Sequence, residues 1–253
     1  MAAGKKDEII DVVEIKQGRM VCNILGTSPL VLNAMSAKIK QGLLSPSKKN
    51  AAEKASTLKH NPEEEFRASA YKAMEKDAPT RIIFPAVSFK SALADAAKDI
   101  PGAAKAQVGR LTYVEGDYVS IYGVPKLWMA VTRSADMNRT PDVRTRAILS
   151  QWACRISITY ISTILKEITV GRLLAAAGIM RGVGDGRPEK GKMSYGRFEM
   201  VAADDARWLK LTKTAGRVEQ DKAFATPEPY DGETAELLAW WQQDAVRRGF
   251  KVA

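Results

Sequence analysis

Alternation of apolar and polar positions is clearest over residues 152–161. Trp152, Cys154, Ile156, Ile158 and Tyr160 interleave with Ala153, Arg155, Ser157 and Thr159, the period-two pattern of a strand with one buried and one accessible face. Runs rich in Val and Ile at 9–15 and 19–25, parted by Lys16-Gln17-Gly18, predict two more strands or one bent pair. Short strands are predicted at 81–84, 128–131 and 195–201. Residues 111–122 read as a hairpin turning at Glu115-Gly116-Asp117. Helical patterns fall between them. Asn61 caps a helix that has Pro62 in its first turn and Glu63, Glu64 and Glu65 at its positive end. A short helix ends near Gly42, and an amphipathic one covers 87–98. Another starts at a Thr169 cap and ends at Gly178, and a last one covers 233–248 with Leu237, Leu238, Trp241 and Ala245 on one side. The remaining chain is polar: a lysine-rich excursion at 45–59, an arginine-bearing arm or loop at 133–146, and 202–230 with no long apolar pattern. The mixture predicts an α+β fold.

Composition narrows the function. Of 253 residues, 45% are hydrophobic and 27% charged, enough for a packed core. The net charge of +10 favours a polyanionic partner. Nucleic acid is preferred over a membrane, because no basic helix carries a strong apolar face. No apolar run is long enough to cross a bilayer, and the first residues lack the apolar core of a secretion signal, so a cytoplasmic location is expected. Cys22 and Cys154 lack metal-site spacing and fall in strand-like runs, so buried bystanders are expected, with no metal or cofactor.

The stretch RGVGDGRPEKGKMSYGRF, residues 181–198, raises a choice. Gly186, Gly191 and Lys192 match the GxxxxGK spacing of a nucleotide-binding P-loop. Met193 stands where a Mg²⁺-ligating hydroxyl is required, and the helix precedes the loop instead of following it. A different phosphate grip is expected. Gly182, Gly184 and Gly186 would let backbone amides approach phosphates, while Arg181, Arg187, Lys190 and Lys192 supply charge. Arg155 and Lys90 would extend the track, and Arg133, Arg139, Arg144 and Arg146 would add a basic arm. Tyr195 is the first choice for stacking on bases, with Trp128 and Tyr122 behind it. Trp240 and Trp241 are assigned to core or subunit contact.

The segment LLAAAGIMRGVGDGRPEKGKMSYGRFEMV (173–201) resembles the helix, glycine-rich loop and strand of the RAMP superfamily of CRISPR systems. FPAVSFKSALADAA (84–97) and TSPLVLNAM (27–35) are similar to two further segments of that superfamily, in collinear order. Phage-type proteins carry the same order of motifs. The resemblance implies a ferredoxin-like (RRM-like) core over 1–203, with insertions at 43–80 and 132–148 and a C-terminal helical extension over 204–253. It implies binding of single-stranded RNA, such as a guide RNA, or single-stranded DNA, with homo-oligomerisation as a helical filament or within a CRISPR-type effector complex. Pro188, Glu189 and Asp185 depart from the loop pattern. Two rivals stand beside this reading. One is a RAMP-type endoribonuclease, for which the resemblance implies a His or Tyr base with Lys support, the sole histidine being His60; the other is a phage structural or scaffold protein. His60 has no evident partner in sequence, so a non-catalytic protein is expected.

Overall fold

The computed structural model describes residues 13–44, 58–133, 141–190 and 193–250. Its main sheet is built on the predicted alternating strand. β1 (Gln17–Gly26) pairs antiparallel with β9 (Ala153–Ile161) along its length. β10 (Phe198–Val201) flanks the other side of β1, and β5 (Thr112–Val114) with β6 (Tyr118–Tyr122) flanks β9. β6 continues through β4 (Ile82–Pro85) to β3 (Tyr71–Lys72). Two helices lie on one face. They are α3 (Ala86–Ala96), between β1 and β5, and α5 (Glu167–Met180), between β9 and β10. The pattern β1-α3-β5/β6-β9-α5-β10, with spatial order β10-β1-β9-β5/β6, is the βαββαβ topology of a ferredoxin-like fold. The α+β class and this core follow from the strand order itself.

Alternation decides which face the helices cover. Cys154, Ile156, Ile158 and Tyr160 are buried with Ile24, Phe89, Leu93, Leu173 and Leu174 in one core. Arg155, Ser157 and Thr159 project from the open face. Both cysteines are buried and free. Burial pushes the Cys22 thiol up to about 11 and Cys154 further, so neither is a ready nucleophile.

A second sheet joins β2 (Leu30–Val31), β8 (Pro141–Leu149) and β7 (Pro125–Arg133). The expected arginine arm is therefore corrected. Its ends belong to a nine-pair antiparallel ladder from Pro125↔Leu149 to Arg133↔Pro141. Leu127, Met129, Thr145 and Ala147 are buried on one face of the ladder, and this freed the other face to be polar. α1 (Ala37–Leu44), α2 (Pro62–Ala68), α4 (Lys105–Leu111), α6 (Ala206–Thr214), α7 (Arg217–Ala225) and α8 (Gly232–Arg247) complete the described elements.

Other expectations change. Residues 111–122 form no hairpin: β5 and β6 both run beside β9 as one strand broken at Glu115-Gly116-Asp117, where Gly116 has φ +78°. α5 starts before Thr169 and continues past Gly178, where a Cβ would sit 2.0 Å from the Phe198 carbonyl oxygen, so close helix–strand packing requires this glycine. The stretch 202–230 holds α6 and α7. Residues 13–16 form no strand. Residues 9–12 of the first predicted strand, and 45–57 of the lysine-rich excursion, lie outside the described residues. Among the described residues, no helix is long and apolar enough to cross a membrane.

Candidate nucleic-acid interface

The glycine turn after α5 is the first test of the phosphate grip. Gly182, Gly184 and Gly186 all have positive φ, at 64°, 85° and 64°. Their close neighbours are the protein's own atoms: a Cβ on Gly184 would lie 2.7 Å from the Val31 carbonyl oxygen, and one on Gly182 3.0 Å from that of Gly196. The amides are engaged in the same way. Gly182 N–H donates to Ala177 O, Val183 N–H to Gly196 O, Asp185 N–H to Val31 O, and Gly186 N–H to its neighbour's carboxylate. The expected amide cradle is thus corrected: the turn is locked onto β2 and the 195–197 segment.

The two loop arginines are engaged as well. Arg181 pairs with Asp99, and Arg187 bonds Glu189 at 2.8 Å and the Gly184 carbonyl at 3.1 Å. Beneath the turn lies a cavity of about 280 Å³ whose lining includes Asp95, Asp185, Glu189 and a single cation, Arg187. Arg187 is engaged by Glu189 there, and Asp95 by Lys98 and Lys105, so the charges about this cavity are largely paired among themselves. Lys192 and Arg139 lie outside the described residues; Lys190 ends a short 3₁₀ turn and Arg133 ends β7.

What the fold does bring together is a patch where this turn meets the polar face of the β7–β8 ladder. Cross-strand register puts Trp128 opposite Arg146, Ala130 opposite Arg144 and Thr132 opposite Asp142, on one face. Tyr195 reaches the Trp128 ring edge-on, with centroids 5.5 Å apart. The two foremost stacking candidates from the sequence therefore touch, although they are 67 positions apart (195 − 128). Burial, followed by the nearby Tyr230 and Asp231, raises the Tyr195 pKa, so the phenol stays neutral. Arg146 leans toward Asp185 of the turn at 3.9 Å, and burial lowers its pKa from the ordinary guanidinium value. Arg144 is partly exposed and lies 3.3 Å from Asp142.

His60 closes the far end of this face. Its Nδ1 lies 2.9 Å from Glu65 and its Nε2 3.1 Å from Asp142, while Trp241 Nε1 donates to its carbonyl. The sequence reading of His60 as exposed and unpartnered is corrected: it is a half-buried bridge between α2 and β8. Burial works against ionisation of Asp142, yet Lys59, His60 and Arg144 hold its pKa below the ordinary carboxylate value.

No family profile and no curated protein matches this sequence. Among solved structures it is similar to a chain in the cryo-EM structure of "Type III-B Cmr-beta bound to cognate target RNA". The identity is 14% and the TM-score 0.34. The match covers 74% of this chain and 60% of that one, and at this score the backbones agree only in coarse outline.

Two predicted residues lie away from this patch. Lys90 is on α3, with its ammonium 5.9 Å from the Tyr113 ring. Arg155 is on the open face of the main sheet, bonded to Asn23 and set over Trp208. The sequence reading missed Trp208 as a partner of Arg155, because α6 was read as unstructured. The sequence signal was Asp205, whose carboxylate caps the amides of Arg207 and Trp208.

Proposed function

We propose that this chain is a non-catalytic binder of single-stranded nucleic acid, RNA by preference, and that copies assemble side by side along the strand. The observation that carries the reading is the Trp128–Tyr195 contact between Arg144 and Arg146 on one side and the glycine turn on the other. Aromatic faces beside guanidinium groups suit a strand whose bases are unstacked and whose sequence is not read. The ion pair of Arg144 is exposed enough to exchange its carboxylate for a phosphate. The preference for RNA and the side-by-side assembly come from the RAMP-like order of motifs. Both ring nitrogens of His60 face protein carboxylates, Glu65 and Asp142, which supports a structural role for this side chain.

Fluorescence anisotropy with labelled U20 RNA and the matching dT20 tests this. Binding should weaken steeply between 50 and 200 mM salt. Trp128→Ala should weaken it by about 5- to 150-fold, the equivalent of ~1–3 kcal/mol for one lost stack. Arg144→Glu, at a surface position, should weaken it without unfolding the protein. Complex mass should rise stepwise with strand length in light scattering. Absence of binding at 50 mM salt, or indifference to both substitutions, refutes the reading. Cleavage of the RNA that disappears in His60→Ala would establish the endoribonuclease instead.

A further inference from the structure

The open face of the main sheet carries a second cleft, of about 440 Å³, lined by Tyr122, Arg155, Trp208, Leu209, Thr212 and Lys213. Its charge is the reverse of the cavity under the glycine turn: two cations line it and no carboxylate does. Arg155 is fixed from two sides. Its Nε donates to Asn23 Oδ1 at 3.0 Å, and its guanidinium lies 5.1 Å from the centre of the Trp208 ring. That ring is itself anchored, because Trp208 is buried and its Nε1 donates to the Cys154 carbonyl at 3.3 Å. The two Nη groups remain, held in a set plane, and two parallel N–H donors match two phosphate oxygens. Lys213 adds a second charge from the exposed side of α6. Tyr122 and the half-exposed Leu209 give apolar walls beside these cations.

We propose that this cleft holds one nucleotide of a single strand, its base against Tyr122 and Leu209 and its phosphate on Arg155 Nη and Lys213. Inorganic phosphate or an acidic peptide would satisfy the cations and leave the Tyr122–Leu209 wall wet. A nucleotide covers both. The site extends the nucleic-acid reading but rests on residues outside the Trp128–Tyr195 patch.

The test is a titration of the full ¹⁵N-labelled chain with uridine 5′-monophosphate, following the indole N–H signal of Trp208. Inorganic phosphate and oligoglutamate serve as separate arms. The signal should move with the nucleotide, at concentrations at least about fivefold below those needed for phosphate, a difference of ~1 kcal/mol from the base. Arg155→Lys keeps the charge and loses the fork, and should weaken the response about tenfold. Lys213→Glu, on an exposed helix position, should weaken it as well. Trp128→Ala and Arg144→Glu in the Trp128–Tyr195 patch should leave it intact. The proposal is overturned if the wild-type signal stays still, if phosphate or oligoglutamate acts as well as the nucleotide, or if neither cleft substitution matters. A patch that fails while the cleft responds, or the reverse, separates the two readings.

Discussion

Gln220 is fully buried on α7, and its side chain joins two distant segments and the turn that precedes the helix. Its Oε1 accepts from the amides of Arg81 at 2.7 Å and Ile82 at 2.9 Å. Its Nε2 donates to the carbonyls of Ile121 at 2.8 Å, Gly123 at 3.0 Å and Ala215 at 3.3 Å. Gln220→Ala leaves two amides without their acceptor in a region closed to solvent. A stranded buried donor costs roughly 1–3 kcal/mol, so the two together cost about 2–6 kcal/mol, and water entering the vacated space favours the lower half. For a chain of this size that is a fall in Tm of roughly 5–15 °C. Urea unfolding followed by circular dichroism at 222 nm measures it from the shift in midpoint at constant slope. Gln220→Glu gives a sharper control. It keeps the acceptor for both amides but faces three carbonyls, which disfavour the carboxylate and raise its folded pKa. Its stability should therefore be best in acid and fall as pH rises through that raised pKa. A loss below about 1 kcal/mol for Gln220→Ala, with unchanged slope, would refute the claim that this amide is what pins α7 to the sheet edge.

Acid stability follows from three carboxylates. Burial alone would raise Asp95, but Lys105 and Lys98 override it and hold it to about 2; Arg19 holds Glu115 to about 2, and Arg207 does the same for Asp205. Their contribution is complete above the ordinary carboxylate range and lost as pH falls from about 4 toward 2, so urea midpoints should be flat down to pH 5 and drop below 4. Gly196→Ala should be among the most damaging small substitutions, because its φ is +69° and a Cβ would lie 1.7 Å from the Val183 carbonyl oxygen; a soluble variant with unchanged Tm would refute the lock described for the glycine turn. Gly42→Ala, inside α1 with open space around it, should instead stabilise by about 0.5–1 kcal/mol. Asp205→Ala removes the cap of α6 and should cost about 0.5–2 kcal/mol, with weaker nucleotide response at the open-face cleft, since α6 supplies Trp208 and Lys213.

The parts of the fold legible in sequence are those whose stability is local or strongly periodic. β9 was visible because every second residue enters one core, and α2 because Asn61 and Pro62 mark its start. α6 and α7 were not visible. They are nine residues each, and each is held by one or two deep side chains of long range: Trp208 against Leu25 and Ala153 for α6, and, for α7, Gln220 against β4 and β6 with Phe224 against Phe66 of α2. No window along the chain records such a contact. The break between β5 and β6 was read as a turn because Glu-Gly-Asp has turn chemistry; the outcome depended on β9 being available to pair with both halves. For the site, the residue types were legible and their partners were not. Tyr195 and Trp128 did meet, whereas Arg181 and Arg187 found carboxylates and the glycines packed against backbone. Charge along a sequence gives cations without showing which are already neutralised.

The reach of Gln220 also orders events in time. The amide of Ile82 and the side chain that satisfies it are separated by 138 positions. At a synthesis rate of about 5–20 residues per second, the nascent strand β4 waits roughly 7–28 s for its acceptor to leave the ribosome. Throughout that interval the amides of Arg81 and Ile82 lack the acceptor that the finished fold gives them. A chaperone dependence confined to the nascent protein, absent once the finished chain is refolded from denaturant, is the behaviour this long-distance clasp entails.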